Sequence, residues 1–142
     1  MIENLDSSIF INGLEIDKLT KILDELDDNY PCYIANDNSN GQIVLSGKKI
    51  WLEILCKELE YKKIKHVKLP VSAPFHCPLM SKATEEMRQK LLDIKFIEPK
   101  ISIISNVTSE PIKNPDEIKK LLIQQIEKPV RWRESINNMI ES

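Results

Sequence analysis

Glycine is scarce, with three residues in 142. No glycine-rich loop of the kind that cradles nucleotide phosphates is present. Lysine, isoleucine and asparagine are abundant, so the shortage reads as biased codon usage more than as function. Cysteine also numbers three, an odd count with no Cys-x-x-Cys spacing, which argues against a disulfide framework or a structural zinc site. No apolar run approaches the ~20 residues of a membrane span. The segment from Met1 to Asp6 has neither a basic n-region nor an apolar h-region, so no signal peptide is read there. Both absences point to the cytoplasm and away from a membrane. No charge of one sign dominates, since 20 basic residues face 22 acidic ones for a net charge of -2. Lys48-Lys49 and Lys62-Lys63 are short clusters, better explained as solvated faces than as nucleic-acid contacts. What is present is globular: 42% hydrophobic and 30% charged residues, in a length that can bury one core.

Periodicity divides the chain into an ordered first part and a less regular second part. Residues 8–11 predict a strand closed by Asn12-Gly13. Ile16, Leu19, Ile22, Leu23 and Leu26 follow steps of three and four and predict a helix over 15–26, ended by turn residues at 27–31. Residues 32–35 and 42–46 predict two strands of a hairpin, with the polar run 36–41 as its turn. A helix is predicted over 48–59 and a fourth strand over 63–69. The order β-α-β-β-α-β is the ferredoxin-like, split βαβ arrangement, placed at residues 5–69. Residues 70–78 form a proline-punctuated loop, and a helix is predicted over 78–92, where Pro78 suits the first turn. A strand over 100–105 has apolar residues on both faces, as in a buried sheet. Helices follow over 117–126 and from Trp132 to about residue 140. The fold class is therefore mixed α/β (α+β). Residues 70–142 read as part of a larger α/β layer, with a strand that has no obvious sheet to join.

Three stretches carry more than periodicity: residues 35–47 (ANDNSNGQIVLSG), residues 69–80 (LPVSAPFHCPLM), and the pair 103–107 (IISNV) and 128–132 (KPVRW). Together, in this order, they resemble the malonyl-CoA:acyl-carrier-protein transacylase family over nearly the whole chain. The histidine loop at 69–80 is the most specific element. Asn40 departs from the family pattern, which has proline there. The resemblance implies the C-terminal part of a hydrolase-like α/β fold with an inserted ferredoxin-like subdomain. It implies transfer of a malonyl group from coenzyme A to the phosphopantetheine thiol of acyl carrier protein in fatty acid biosynthesis, through an acyl-serine ester. Malonyl-CoA is then a substrate, and no cofactor or metal is called for. Position by position, His76 matches the family's base. Asn36 and Asn38 match residues lining the substrate cleft, and Asn106 matches a strand end that shapes the site.

The resemblance also points to what these 142 residues do not contain. There is no Gly-x-Ser-x-Gly elbow. The family's Gly-Gln-Gly oxyanion segment, its carboxylate-pairing arginine and its Gly-Pro-Gly segment are absent as well. Arg131 matches the Pro-Val-x-Trp motif and is no substitute for that arginine. A serine hydroxyl needs a base within hydrogen-bond reach, itself oriented by a third group. His76 is expected to be that base for a serine on another, N-terminal segment, and the chain alone is expected to be inactive. A non-catalytic binding module or an inactive remnant are the other readings.

Residue type alone would favour a merely structural loop histidine at position 76, and the surrounding motif reverses that preference. His66 reads as a surface residue. Cys77 adjoins His76, but neighbours in extended chain point apart, so no Cys-His dyad is expected. Cys32 and Cys56 read as small buried hydrophobes. Trp51 and Trp132 read as core or interface packing, Asn36, Asn38 and Ser39 also suit a turn, and nothing around Ser72 marks an elbow. Uncovered apolar surface in the second part predicts self-association, by exchange of the tail.

Overall fold

A computed structural model describes residues 6–26, 28–29, 31–71 and 73–141. Asp27 and Tyr30 of the first turn, Ser72 of the histidine loop, and the Met1–Leu5 part of the N-terminal segment lie outside the described residues. The elements run β1 (Asp6–Asn12), α1 (Ile16–Asp24), β2 (Tyr33–Ser39), β3 (Gln42–Lys48), α2 (Lys49–Tyr61), β4 (His66–Leu69), a 3-10 turn (Pro78–Met80), α3 (Ser81–Leu91), β5 (Ile103–Ile104), β6 (Pro111–Ile112), α4 (Pro115–Gln124) and α5 (Trp132–Glu141). This is a mixed α/β architecture.

The first four strands form an antiparallel sheet in the order β2-β3-β1-β4. Alternation places Ile9 and Ile11 of β1 and Ile43 and Leu45 of β3 on one face, all fully buried. Leu52, Leu55, Cys56 and Leu59 form a stripe on α2, and Leu19 and Ile22 one on α1. These ten residues make one core cluster. Each fully buried Leu or Ile contributes roughly 1.5–3 kcal/mol relative to exposure.

α2 ends where Lys63 turns left-handed at φ 56. Lys63 N–H bonds Glu60 O at 3.0 Å and Ile64 N–H bonds Leu59 O at 2.8 Å, the paired closure of a Schellman motif. That turn occupies the start of the predicted fourth strand, so β4 begins at His66. At the β2–β3 hairpin the turn is only Asn40–Gly41. Gly41 has φ +81, and a Cβ there would meet Gly13 Cα at 3.3 Å.

Residues 36–39, predicted as turn, are instead strand, with register irregularities at Ile34/Asn36 and Asp37/Ser39. Tertiary pairing overrides their turn propensity. Val130 lies along the outer edge of β2, where Asp37 N–H bonds Val130 O at 2.9 Å and Val130 N–H bonds Ala35 O at 2.8 Å.

Beyond β4 the structure is looser. The strand predicted over 100–105 shrinks to β5, paired only with β6 among the described residues. Ile101 is 81% exposed and Ile103 is also exposed, so the buried setting expected for this strand is not found. α4 begins two residues before the predicted Glu117. Asn114 caps it by accepting from Asp116 N–H at 2.9 Å and Glu117 N–H at 3.1 Å, and Pro115 takes the first helical position. Ile112, Ile118 and Leu121 form a second, smaller cluster, with Phe96 and Val107 against it. No helix among the described residues is long and apolar enough to cross a membrane.

Candidate active site

His76 sits between β4 and the 3-10 turn in a left-handed conformation, φ 58. A non-glycine residue held there is strained, and such strain concentrates at functional positions. Its surroundings hold it in place. Buried Cys77 donates Sγ–H to Pro74 O at 3.0 Å, and Met80 N–H bonds Cys77 O at 3.0 Å. The Cys77 thiol is therefore committed to the backbone of its own loop. Burial pushes it above the ordinary thiol value, so Cys77 is an inert structural cysteine and forms no dyad with His76.

The imidazole is anchored across 49 residues. His76 Nδ1 lies 2.8 Å from the carbonyl oxygen of Gln125. A carbonyl can only accept, so Nδ1 carries the proton and Nε2 of the neutral ring is left with its lone pair. Gln125 is the C-cap of α4, where carbonyls lack helical partners. The Gln125 side chain in turn donates to Lys128 O at 2.9 Å. An imidazole oriented through Nδ1 with a free Nε2 is the arrangement a general base requires. Beside it lies a groove of about 330 Å³, walled by Phe75, Met80 and Met87 on one side and Leu122 and Ile126 on the other. Phe75 is 48% exposed.

The segment from Gln125 to Arg131 gathers two of the other candidate residues. Asn36 pairs with Val130, and Asn106 O accepts from Arg131 N–H at 2.9 Å. The loop bearing Asn106 is a tight turn. Ser105 Oγ accepts from Val107 N–H at 3.2 Å and from Thr108 N–H at 3.4 Å, and Ser109 has φ 60. The Arg131 guanidinium donates to Val107 O at 3.4 Å and Thr108 O at 3.1 Å, and pairs with Glu134. It ties that turn to α5. Asn38 is placed elsewhere. With Asn40, Trp132 and Arg133 it lines a separate groove of about 530 Å³ against α5, and none of Asn36, Asn38 and Asn106 lines the groove beside His76.

Two features had no counterpart in the sequence reading. One is Gln125, whose contribution is a backbone carbonyl that any residue could supply. The other is an ion pair. Arg133 Nε lies 3.1 and 3.0 Å from the two Asp37 carboxylate oxygens, and a terminal guanidinium nitrogen lies 2.8 Å from Oδ2. Hydrogen bonding to Asp37 raises the Arg133 guanidinium above its ordinary value. His66 is half-buried, its Nδ1 donating to Ile64 O at 3.0 Å, and Trp132 is exposed on α5. No group of three His, Cys, Asp or Glu side chains placed to hold a metal occurs among the described residues.

A malonyl CoA-acyl carrier protein transacylase of Synechocystis sp. is 34% identical over 122 residues, 86% of this chain and 41% of its own length. The crystal structure of an acyl-carrier-protein-S-malonyltransferase from Bartonella henselae superposes with a TM-score of 0.91 at 36% identity, over 98% of this chain and 45% of that one. A malonyl-transacylase in complex with its type II PKS acyl-carrier protein gives a TM-score of 0.90 at 27% identity, over 99% of this chain and 46% of that one. The chain thus spans less than half the length of the proteins it matches. No protein-family model matches.

Proposed function

The chain belongs to the malonyl-CoA:acyl-carrier-protein transacylase family, whose members it matches over their C-terminal part, and on that premise we propose that it supplies the base of an acyl-carrier-protein S-malonyltransferase. The observation that carries the reading is the 2.8 Å bond from His76 Nδ1–H to Gln125 O, which leaves Nε2 to act. The nucleophile is a serine carried outside these 142 residues. His76 Nε2 takes the serine proton as the oxygen attacks the malonyl thioester carbonyl. The carbon–sulfur bond breaks, coenzyme A leaves as its thiol with that proton, and an acyl-serine ester remains. In the second half His76 takes the proton of the phosphopantetheine thiol. Sulfur attacks the ester, and the serine oxygen leaves with the proton. Each half balances with one proton moved out and back.

Within this reading residues 5–69 are a ferredoxin-like subdomain, supported by the strand order β2-β3-β1-β4 with α1 and α2 as its crossovers. Residues 70–142 belong to the large subdomain. Asn36 and Asn106 shape the cleft from the segment that holds Gln125, and Asn38 reaches substrate from the α5 side. A cytoplasmic setting with malonyl-CoA and acyl carrier protein as partners follows from the same reading. Exposed Ile97, Ile101 and Ile103 support self-association of the 142-residue chain. Light scattering should show a mass that rises with concentration, and a constant monomer mass would refute it.

The test of function is transfer of radiolabelled malonyl to acyl carrier protein, by this chain alone and mixed with a serine-bearing N-terminal segment of the family. Activity is expected only in the mixture, and His76→Ala should lower it by about 10²-fold or more. Association of the two segments without transfer would refute a catalytic role.

A further inference from the structure

Asp37 is almost completely buried, at 3% exposure. A carboxylate in that position is costly unless it is paired and its oxygens are hydrogen-bonded. Arg133 meets both needs, with Nε between the two oxygens at 3.1 and 3.0 Å and a second nitrogen at 2.8 Å. Such fork geometry fixes orientation as well as distance. Asp37 lies within the 35–47 stretch and Arg133 directly follows the 128–132 run. Neither is among the residues to which the family resemblance assigns a role.

The pair joins the outer edge of the sheet to the first turn of α5, and what lies between is the segment that serves the histidine. Arg131 is bonded to Asn106 O, Val130 is bonded to β2, and Pro129 restricts the backbone. Lys128 N–H bonds Gln124 O at 2.9 Å, and Lys128 O receives the Gln125 side chain. The carbonyl that holds His76 is thus eight residues from Arg133, along a run with hydrogen bonds at nearly every step.

We propose that the Asp37–Arg133 pair is a positioning device for the base, locking residues 128–133 onto β2 and so fixing the Gln125 carbonyl against His76 Nδ1. Neither residue touches a reacting atom. The inference rests on the reading of His76 as the base, but its test uses no transfer assay.

The experiment is a two-bond proton–nitrogen correlation spectrum of the 142-residue chain with nitrogen-15 histidine, at mildly alkaline pH. His76 should show the Nδ1-protonated pattern of a single tautomer. Asp37→Asn removes the charge at nearly constant shape. It should convert His76 to the averaged pattern of two exchanging tautomers, while His66, bonded to Ile64 O, keeps its own pattern. An unchanged His76 in Asp37→Asn, or a wild-type His76 that is not Nδ1-protonated, overturns the proposal. Should Asp37→Asn disturb His66 as well, Arg133→Lys decides, since it keeps the charge and loses the fork. A change at His76 alone then supports the device. No change, or equal change at both histidines, overturns it. Absence of malonyl transfer in the mixture with a serine-bearing segment, beside the expected tautomer response in the 142-residue chain, would fault the transacylase reading and leave the positioning of His76 standing.

Discussion

Leu45 and Leu121 are both core leucines on regular elements, and their surroundings differ. Leu45 is fully buried on β3 within a cluster of ten buried residues contributed by two strands and two helices. Leu121, at 8% exposure on α4, has Ile112 and Ile118 as the buried members of its cluster among the described residues, with Phe96 and Val107 partly buried against it. In the same part of the chain Phe75, Met87, Leu122 and Ile103 turn large apolar surfaces to solvent. The region of β1 to β4 closes on its own hydrophobic surface. The region after β4 does not, and it is held to the first by directional links: Val130 on β2, and Arg133 on Asp37. The proposed base belongs to the second region. Its precision therefore depends on hydrogen bonds and one ion pair more than on packing.

The largest expected effect tests this contrast directly. Leu45→Ala leaves a cavity that neighbours in a closed core cannot collapse to fill. It should cost about 3–5 kcal/mol in urea denaturation, the upper part of the range for such truncations. Leu121→Ala removes the same atoms from a site with fewer buried neighbours and more room to relax, and should cost about 2–3 kcal/mol. Equal losses would mean that the second cluster is as well packed as the first.

An alkaline titration should sharpen the comparison, with a smaller effect. Burial, aided by the neighbouring Cys56, pushes the Cys32 thiol from 9.0 to about 12. Between those values the unfolded chain has released the thiol proton and the folded chain has kept it. The unfolded state then binds fewer protons, so stability falls as pH rises through that window. Cys32→Ala should lose less stability between pH 8 and 11 than the parent chain, with other alkaline groups cancelling in the difference. Identical pH profiles would show that Cys32 stays accessible to hydroxide in the fold.

The first region was more legible in the sequence than the second, for reasons that individual residues show. Leu19 and Ile22 repeat at helical spacing because one face of α1 is buried against the core cluster next to it. Their partners are close by, so periodicity suffices. Residues 36–39 misled because Asn and Asp favour turns, whereas pairing with Ile43 and Val44 of β3, with Val130 bridging the other edge, makes them strand. Residues 100–105 have strand character but form only two residues of ladder, with just β6 beside them. At the site, His76 stood out through its loop motif. Its anchor could not, because a backbone carbonyl has no residue signature and Gln125 lies 49 positions away. The Asp37–Arg133 pair was hidden by a still longer separation, 96 positions.

The smallest effect concerns the start of α4, where a side chain serves as cap. Asn114 Oδ1 accepts from Asp116 and Glu117 N–H, two of the four donors a helix start leaves without intrahelical partners. Pro115 has no N–H to satisfy, so Asn114→Ala leaves those two exposed donors to water, and the loss should be about 1 kcal/mol. The site is solvent-exposed, which keeps the penalty low. α4 also carries Gln125 at its far end, eleven residues from Asn114, so a cap defect confined to the first turn should leave the His76 tautomer pattern unchanged. A thermal melt lowered by a few degrees with an intact His76 signal would place the two ends of α4 in separate roles. Loss of that signal would instead mean that the helix responds as one body, and that the second region depends on its caps as much as on its ion pair.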